Sequence, residues 1–566
     1  MQNIILCIKI VIFLNFWNLA DEGEKMLNFL SATGVAQYVI FALYLAVLIV
    51  VALVTAKKSK SLNDFMFASK GVGGWLSAFA YGATYFSAVI FIGYAGKFGW
   101  NFGLAAVWIG IGNMLIGTLA AWLVLAKRTK FMTNTLQART MPEFFEKRYR
   151  SEHIKLLSSL LIFVFLLPYS SSVYQGLGYI FSKVIGLDTI WCILILAVVT
   201  AVYLFLGGYF ATSITDFIQG IIMIIGILVC VFTLLSAEEV NWGEGLSALT
   251  QNGLGLIPSG AVPEGKSFMD SAAFNVIILV LLTSFGIWGL PQSVHKFYAI
   301  KDDDAIKKGA VISTVFSLIV GGGAYFVGSL VTLFVSNETF VNDLGGNFDR
   351  LVPEMLSANL TPALLGLILV LLFSASMSTL ASLSLSSAST VSVDFYKGYL
   401  KKQAPESNVT ILMRVLCLVF VAVSAILAIV EIDAIVTMMS LSWGLLAGCF
   451  IGPYVLGLYS KRINKAGSYA SIISTILITI IMVITLGLHD APDSSVGKVL
   501  KAGIGRSPFI GVVCMAASFI VTPVFSLIFK SCTPDKEFLA TIFPEKFTAL
   551  TETNASSPAE TESIEK

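Results

Sequence analysis

Tyr81-Gly82-Ala83-Thr84-Tyr85-Phe86-Ser87-Ala88-Val89-Ile90-Phe91-Ile92-Gly93 is the stretch on which the fold turns. It lies in an apolar run long enough to cross a bilayer, yet it places small and hydroxyl residues where a lipid-facing helix carries Leu and Val. Unwound backbone is tolerated at membrane depth only where it lines a cavity. About 200 residues later a second apolar run is interrupted at Phe285-Gly286-Ile287-Trp288-Gly289-Leu290-Pro291-Gln292. Close helix packing through small residues accounts for either interruption alone. Their matching places in two groups of five spans instead predict an inverted repeat whose first helices are discontinuous.

The rest of the chain supports a membrane setting. Of its 566 residues 57% are hydrophobic and only 12% charged, with a mean hydropathy of +0.86. That excludes a disordered chain and disfavours a set of soluble domains. Apolar runs near 35–56, 74–97, 102–126, 156–182, 189–206, 213–236, 271–293, 309–335, 362–391, 411–431, 434–459, 467–488 and 509–529 predict thirteen spans in an all-α polytopic protein. The repeats run over about 74–236 and 271–459.

An odd number of spans puts the termini on opposite sides. The connections after spans 1, 3, 7, 9 and 11, with Arg414 and the C-terminal segment, hold 27 of the 36 Lys and Arg. The positive-inside bias then predicts a multi-pass protein of the plasma (inner cell) membrane, N-terminus outside and C-terminus in the cytoplasm. Residues 1–34 form an extracellular segment, in which 1–25 read either as a signal-like stretch or as a mis-called start ahead of Met26. Residues 531–566 read as a cytoplasmic tail, disordered at its end. Net charge of +2 gives no field to recruit nucleic acid.

Span 9 carries the sharpest polar signal. It reads Phe373-Ser374-Ala375-Ser376-Met377-Ser378-Thr379-Leu380-Ala381-Ser382, continuing to Ser387. Ser378, Thr379 and Ser382 share a face by helical spacing. With carbonyls freed at a break, such hydroxyls suit a small hard cation such as sodium; the alternative is that they bond back to their own helix. Asp216, in Ser213-Ile214-Thr215-Asp216-Phe217-Ile218-Gln219, is the one carboxylate set into the start of a span. It reads equally as a functional intramembrane acid and as a residue favoured by the helix dipole. Seven scattered cysteines and three histidines lack metal-site spacing, and no nucleophile elbow, phosphate loop or HExxH occurs in a plausible context. No catalytic residue, enzymatic activity or cofactor is expected.

Asn63-Asp64-Phe65-Met66-Phe67-Ala68-Ser69-Lys70, Ser87-Ala88 with Phe91-Ile92-Gly93, Gly207-Gly208 leading to Thr215-Asp216-Phe217-Ile218-Gln219, and Ser378-Thr379-Leu380-Ala381-Ser382 ending in Asp394-Phe395-Tyr396-Lys397 together resemble the sodium:solute symporter family. The resemblance covers about 35–530 and implies a LeuT-like five-helix inverted-repeat core, sodium as coupling ion and alternating access. It places a sodium on the carbonyls of Ala83, Phe86 and Ala375 and the hydroxyls of Ser378 and Thr379. It places a second sodium at Asp216 and Ser382, although Ala381 stands where two-sodium members carry a further serine.

Ile90, Gly110 and Ser440 replace the sugar-binding residues of glucose-type members, so the resemblance favours an amino acid, proline-like, or a carboxylate over a sugar or vitamin. The solute would meet Tyr85, Ser87, Trp288, Pro291, Gln292 and Trp443; Ile287 departs from an aromatic of the proline-type members, and Trp288 and Trp443 read equally as packing residues. The implied partners are sodium, a small organic solute and the bilayer, with a monomer as the working unit. A solute-sensing receptor and an uncoupled uniporter are the competing readings. The short tail disfavours fusion to a signalling module.

Overall fold

A computed structural model describes residues 35–56, 72–262, 267–492 and 494–544, with the side chains of 52–56 and 206–211 left aside. The expectations for 1–34, for the Asn63–Lys70 motif and for the tail beyond 544 fall outside these residues. The described chain is helical throughout, with one isolated parallel bridge between Val72 and Ile300.

The principal helices are α1 (Val35–Ala56), α2 (Gly74–Tyr85), α3 (Ala95–Phe102), α4 (Glu152–Ile185), α5 (Thr189–Leu235), α6 (Ala272–Gly286), α7 (Pro291–Tyr298), α8 (Asp303–Ser317), α9 (Pro362–Ser389), α10 (Glu406–Val430), α11 (Ile435–Tyr459), α12 (Lys465–Asp490) and α13 (Ser507–Ile528). Helices α2 and α3, joined through a π-helical turn at Val89–Tyr94, form the first broken rod. Helices α6 and α7, joined through Ile287–Gly289, form the second. A further rod over 107–136 follows a reversal at Gly103, whose φ of +55° is open to glycine and strained for other residues.

Helix α5 is assigned as one run of 47 residues, far too long for a single crossing. Tyr203 and Thr215 nevertheless share a hydrogen bond through their hydroxyls. Twelve residues of straight helix would separate them by about 18 Å. The chain therefore turns back between them, and the 189–206 and 213–236 spans of the sequence reading lie side by side. With this reversal and the one at Gly103, thirteen rods are present among the described residues.

Burial sorts the rods into layers. The most apolar windows of α11 and of the α9 rod are 94% and 83% buried, against 33% for α12. Large side chains such as Leu123, Val311 and Ile520 stand two-thirds exposed on the outer faces. Such a surface needs lipid around it, since water would leave wide apolar patches uncovered. Inside, small residues let backbones meet: a Cβ added at Gly99 would stand 1.9 Å from the Gly328 carbonyl oxygen, and one at Gly444 2.6 Å from Gly511 Cα.

The two broken rods are tied at one end. Val72, just before α2, donates its N–H to the Ala299 carbonyl at 3.3 Å and accepts from Lys301 N at 3.1 Å, just after α7. Asp394 of the family-like motif is fully buried and accepts from Thr140 Oγ1 at 2.7 Å. Thr140 in turn caps the short helix Met141–Tyr149.

Candidate functional site

Helix α2 ends because Phe86 adopts an extended backbone, φ −104° and ψ 117°. The amide protons that would continue the helix go elsewhere. Ala88 N–H donates to Ser376 Oγ of α9 at 3.1 Å, Val89 N–H to Ser87 Oγ at 3.3 Å and Ile90 N–H to the Ser87 carbonyl at 2.9 Å. In an uninterrupted helix these donors would bond the carbonyls of Thr84, Tyr85 and Phe86. The break therefore frees a group of acceptors in a fully buried place.

Helix α9 lays its hydroxyl stripe against that group. Thr379 Oγ1 stands 3.1 Å from the Ala375 carbonyl, 3.2 Å from Thr84 O and 3.5 Å from Ala83 O. One hydroxyl proton serves one acceptor well, so oxygens with unused lone pairs crowd together here. An oxygen-only set of neutral donors fits a monovalent hard cation. Ala83, Phe86, Ala375, Ser378 and Thr379 are all buried at or near this junction.

Asp216 lies next to it, 1% exposed, on the second limb of α5. Ser378 Oγ donates to Asp216 Oδ1 at 2.6 Å, and Lys296 Nζ of α7 sits 3.2 Å from Oδ2. The sequence reading paired Asp216 with Ser382; here Ser378 takes that place, and Ser382 Oγ instead meets Thr84 Oγ1 at 3.0 Å. Lys296 was read only as one of the basic residues after span 7. With apolar neighbours Phe297 and Tyr298 on its C-terminal side, it carried the one available signal, a lysine inside the end of an apolar helix rather than beyond it. Ser374 and Gln219, both bonded to Tyr44 Oη at 2.8 and 3.2 Å, were also missed.

The second break has a simpler cause. Pro291 has no N–H and sits at the first position of α7, after an extended Leu290 with ψ 124°. Gly289 lets this bend approach α11, where a Cβ would stand 2.8 Å from Ala447 Cα. Gln292 follows, buried, with Oε1 lacking a hydrogen-bond partner.

The aromatic candidates divide. Tyr85 is buried, donates its hydroxyl proton to the Thr283 carbonyl at 2.7 Å, and has its ring 6.1 Å from that of Trp443. Tyr169 of α4 completes a cluster 5.7 Å from Trp443 and was not anticipated. Trp288 points its indole N–H to the Ile116 carbonyl at 3.1 Å, on the 107–136 rod. Ser87 is buried and turns its hydroxyl to the backbone of Val89. A separate cavity of about 670 Å³ lies at the Phe102 end of the bundle, lined by Lys97, Asp270, Asp490, Arg506 and Phe509 among others.

The model of the family described as "Sodium:solute symporter family" matches residues 65–475, most of the chain. This protein belongs to the sodium:solute symporter family. It is therefore a transporter that couples solute movement to sodium, and not an enzyme. Sodium/proline symporter 2 of Staphylococcus saprophyticus is 27% identical over 82% of this chain and 88% of its own. The osmoregulated proline transporter OpuE of Bacillus subtilis is 26% identical over 79% of this chain and 88% of its own. Among solved structures, the substrate-bound outward-open state of a Na+-coupled sialic acid symporter aligns with a TM-score of 0.69 at 18% identity, covering 87% of this chain and 98% of that one. A manganese transporter of Eremococcus coleocola aligns with a TM-score of 0.50 at 14% identity, over 83% and 99%. At these identities the structures speak for the fold, in which this symporter shares the inverted-repeat core of such transporters.

Proposed function

We propose that this symporter imports a proline-like amino acid together with sodium held at the junction of α2 and α9. The carbonyls of Ala83, Phe86 and Ala375 and the hydroxyls of Ser378 and Thr379 supply the ion's oxygen shell. The supporting observation is the crowd of acceptor oxygens around Thr379, which a cation would relieve. Sodium bound there fixes the broken rod and so raises affinity for solute in the adjacent gap. By linkage the solute raises sodium affinity by the same factor.

The solute would sit between the two breaks, with Tyr85, Ser87, Pro291, Gln292 and Trp443 around it and Trp288 at its margin. Gln292 offers a polar group, and the rings of Tyr85 and Trp443 offer apolar faces for a pyrrolidine-sized body. Two proline transporters among the relatives support that substrate over a sugar. The lysine- and arginine-rich connections support an external N-terminus and cytoplasmic C-terminus, which puts α2 and α7 on the inner side.

A thermal-shift screen of the purified protein over amino acids, monocarboxylates, vitamins and sugars tests this reading. Proline should raise the melting temperature in sodium and much less in potassium. Stabilisation by a sugar alone, or by proline equally in either salt, would refute it.

A further inference from the structure

Asp216 is a carboxylate buried inside an apolar bundle, where an unpaired ion is strongly disfavoured. It is therefore neutralised either by a proton or by a partner cation. A transporter can draw that cation from solution, in which case it travels with the solute, or can carry it covalently. Here Lys296 reaches Asp216 Oδ2 at 3.2 Å while only 3% exposed, and the Ser378 hydroxyl donates a hydrogen bond to Oδ1. Both carboxylate oxygens are thus engaged by groups of the chain itself.

We propose that the Lys296 ammonium is a tethered counter-cation that occupies the place of a second sodium beside Asp216 and holds this symporter to one sodium per cycle. The proposal deepens the sodium-site reading above and rests on it. Its geometry also links the two cations. The Ser378 hydroxyl can offer its lone pairs to sodium while its O–H still donates to Asp216 Oδ1, and a cation on the oxygen strengthens that donation. The chain of contacts runs from the sodium junction through Ser378 and Asp216 to Lys296 on α7, the trailing half of the second broken rod. An ion at the first break thereby acts on the second by one shared hydroxyl and one ion pair.

Equilibrium binding of radioactive sodium to the purified full-length protein in detergent tests this without reference to transport. Wild type should bind one sodium per chain. Lys296→Gln and Lys296→Met each remove the ammonium and should bind two sodium ions per chain at saturation. Adding Asp216→Asn to Lys296→Gln should return the count to one. Two sodium ions on wild type would overturn the proposal, even if neither Lys296 variant folds. So would a single ion on either variant in monodisperse, cooperatively melting form. No sodium binding by wild type would instead overturn the site reading on which the proposal stands.

Discussion

Thr379 faces three backbone carbonyls within 3.5 Å with one proton to give. If those oxygens hold sodium, Thr379→Ala should raise the half-saturating sodium concentration for uptake at least about tenfold, equivalent to about 1.4 kcal/mol. Thr379→Ser should stay near wild type, because it keeps the oxygen. Asp349 makes a different prediction, outside the spans. Burial, opposed by the Ile435 N–H and the nearby Lys97 and reinforced by Asp433 and Glu431, pushes its carboxyl up to about 6. A carboxyl raised in the folded state binds more protons there than in the unfolded chain, so its contribution to stability falls as pH rises from the usual carboxylate range through about 6. Melting temperature should accordingly rise on lowering the pH from about 7 to about 5, and Asp349→Asn should flatten that rise. A variant with the same slope as wild type would reassign it. At this scale the hydroxyl stripe was legible because seven serines crowd residues 374–387. The Asp216–Lys296 pair was not, because 80 residues separate its members and only the folding back of α5 and the second break bring them together.

The first broken rod depends on its packing as much as on its break. Its trailing half α3 lies so close to Gly323–Ser329 that a methyl at Gly99 would overlap the Gly328 carbonyl. Gly99→Ala should cost about 1–3 kcal/mol through forced backbone movement, seen as a lower melting temperature and reduced uptake. Gly497→Ala, where nothing lies within 4 Å of the added carbon, should be neutral or slightly stabilising. Equal effects at both glycines would remove close approach as the explanation. Both breaks were readable from Gly, Pro and hydroxyl residues in apolar runs, since each has a local cause: extended Phe86 and the missing N–H of Pro291. Which carbonyls the first break frees was not readable without the family resemblance. That depends on Ser376 and Ser87 capturing the amide protons of Ala88 and Val89.

For the whole molecule, the thirteen rods follow from the apolar runs together with the breakers that divide them, and layering adds what hydropathy cannot: α11 is central and α12 peripheral although α12 is the more apolar. Orientation is testable directly. A cysteine placed at Ile257, which is 88% exposed in the loop before α6, should react with a membrane-impermeant maleimide on intact cells, and one at Lys401 only after permeabilisation. The reverse pattern would invert the bundle. Moving one charge inward gains roughly 2.3 kcal/mol per 100 mV, so uptake of a zwitterion should be voltage-driven. The most direct test of the central claim is accumulation of radiolabelled proline by proteoliposomes under an inward sodium gradient. Wild type should concentrate proline above the external level and the Ser378→Ala, Thr379→Ala double variant should not; sodium-independent uptake, or a double variant with unchanged sodium dependence, would contradict it.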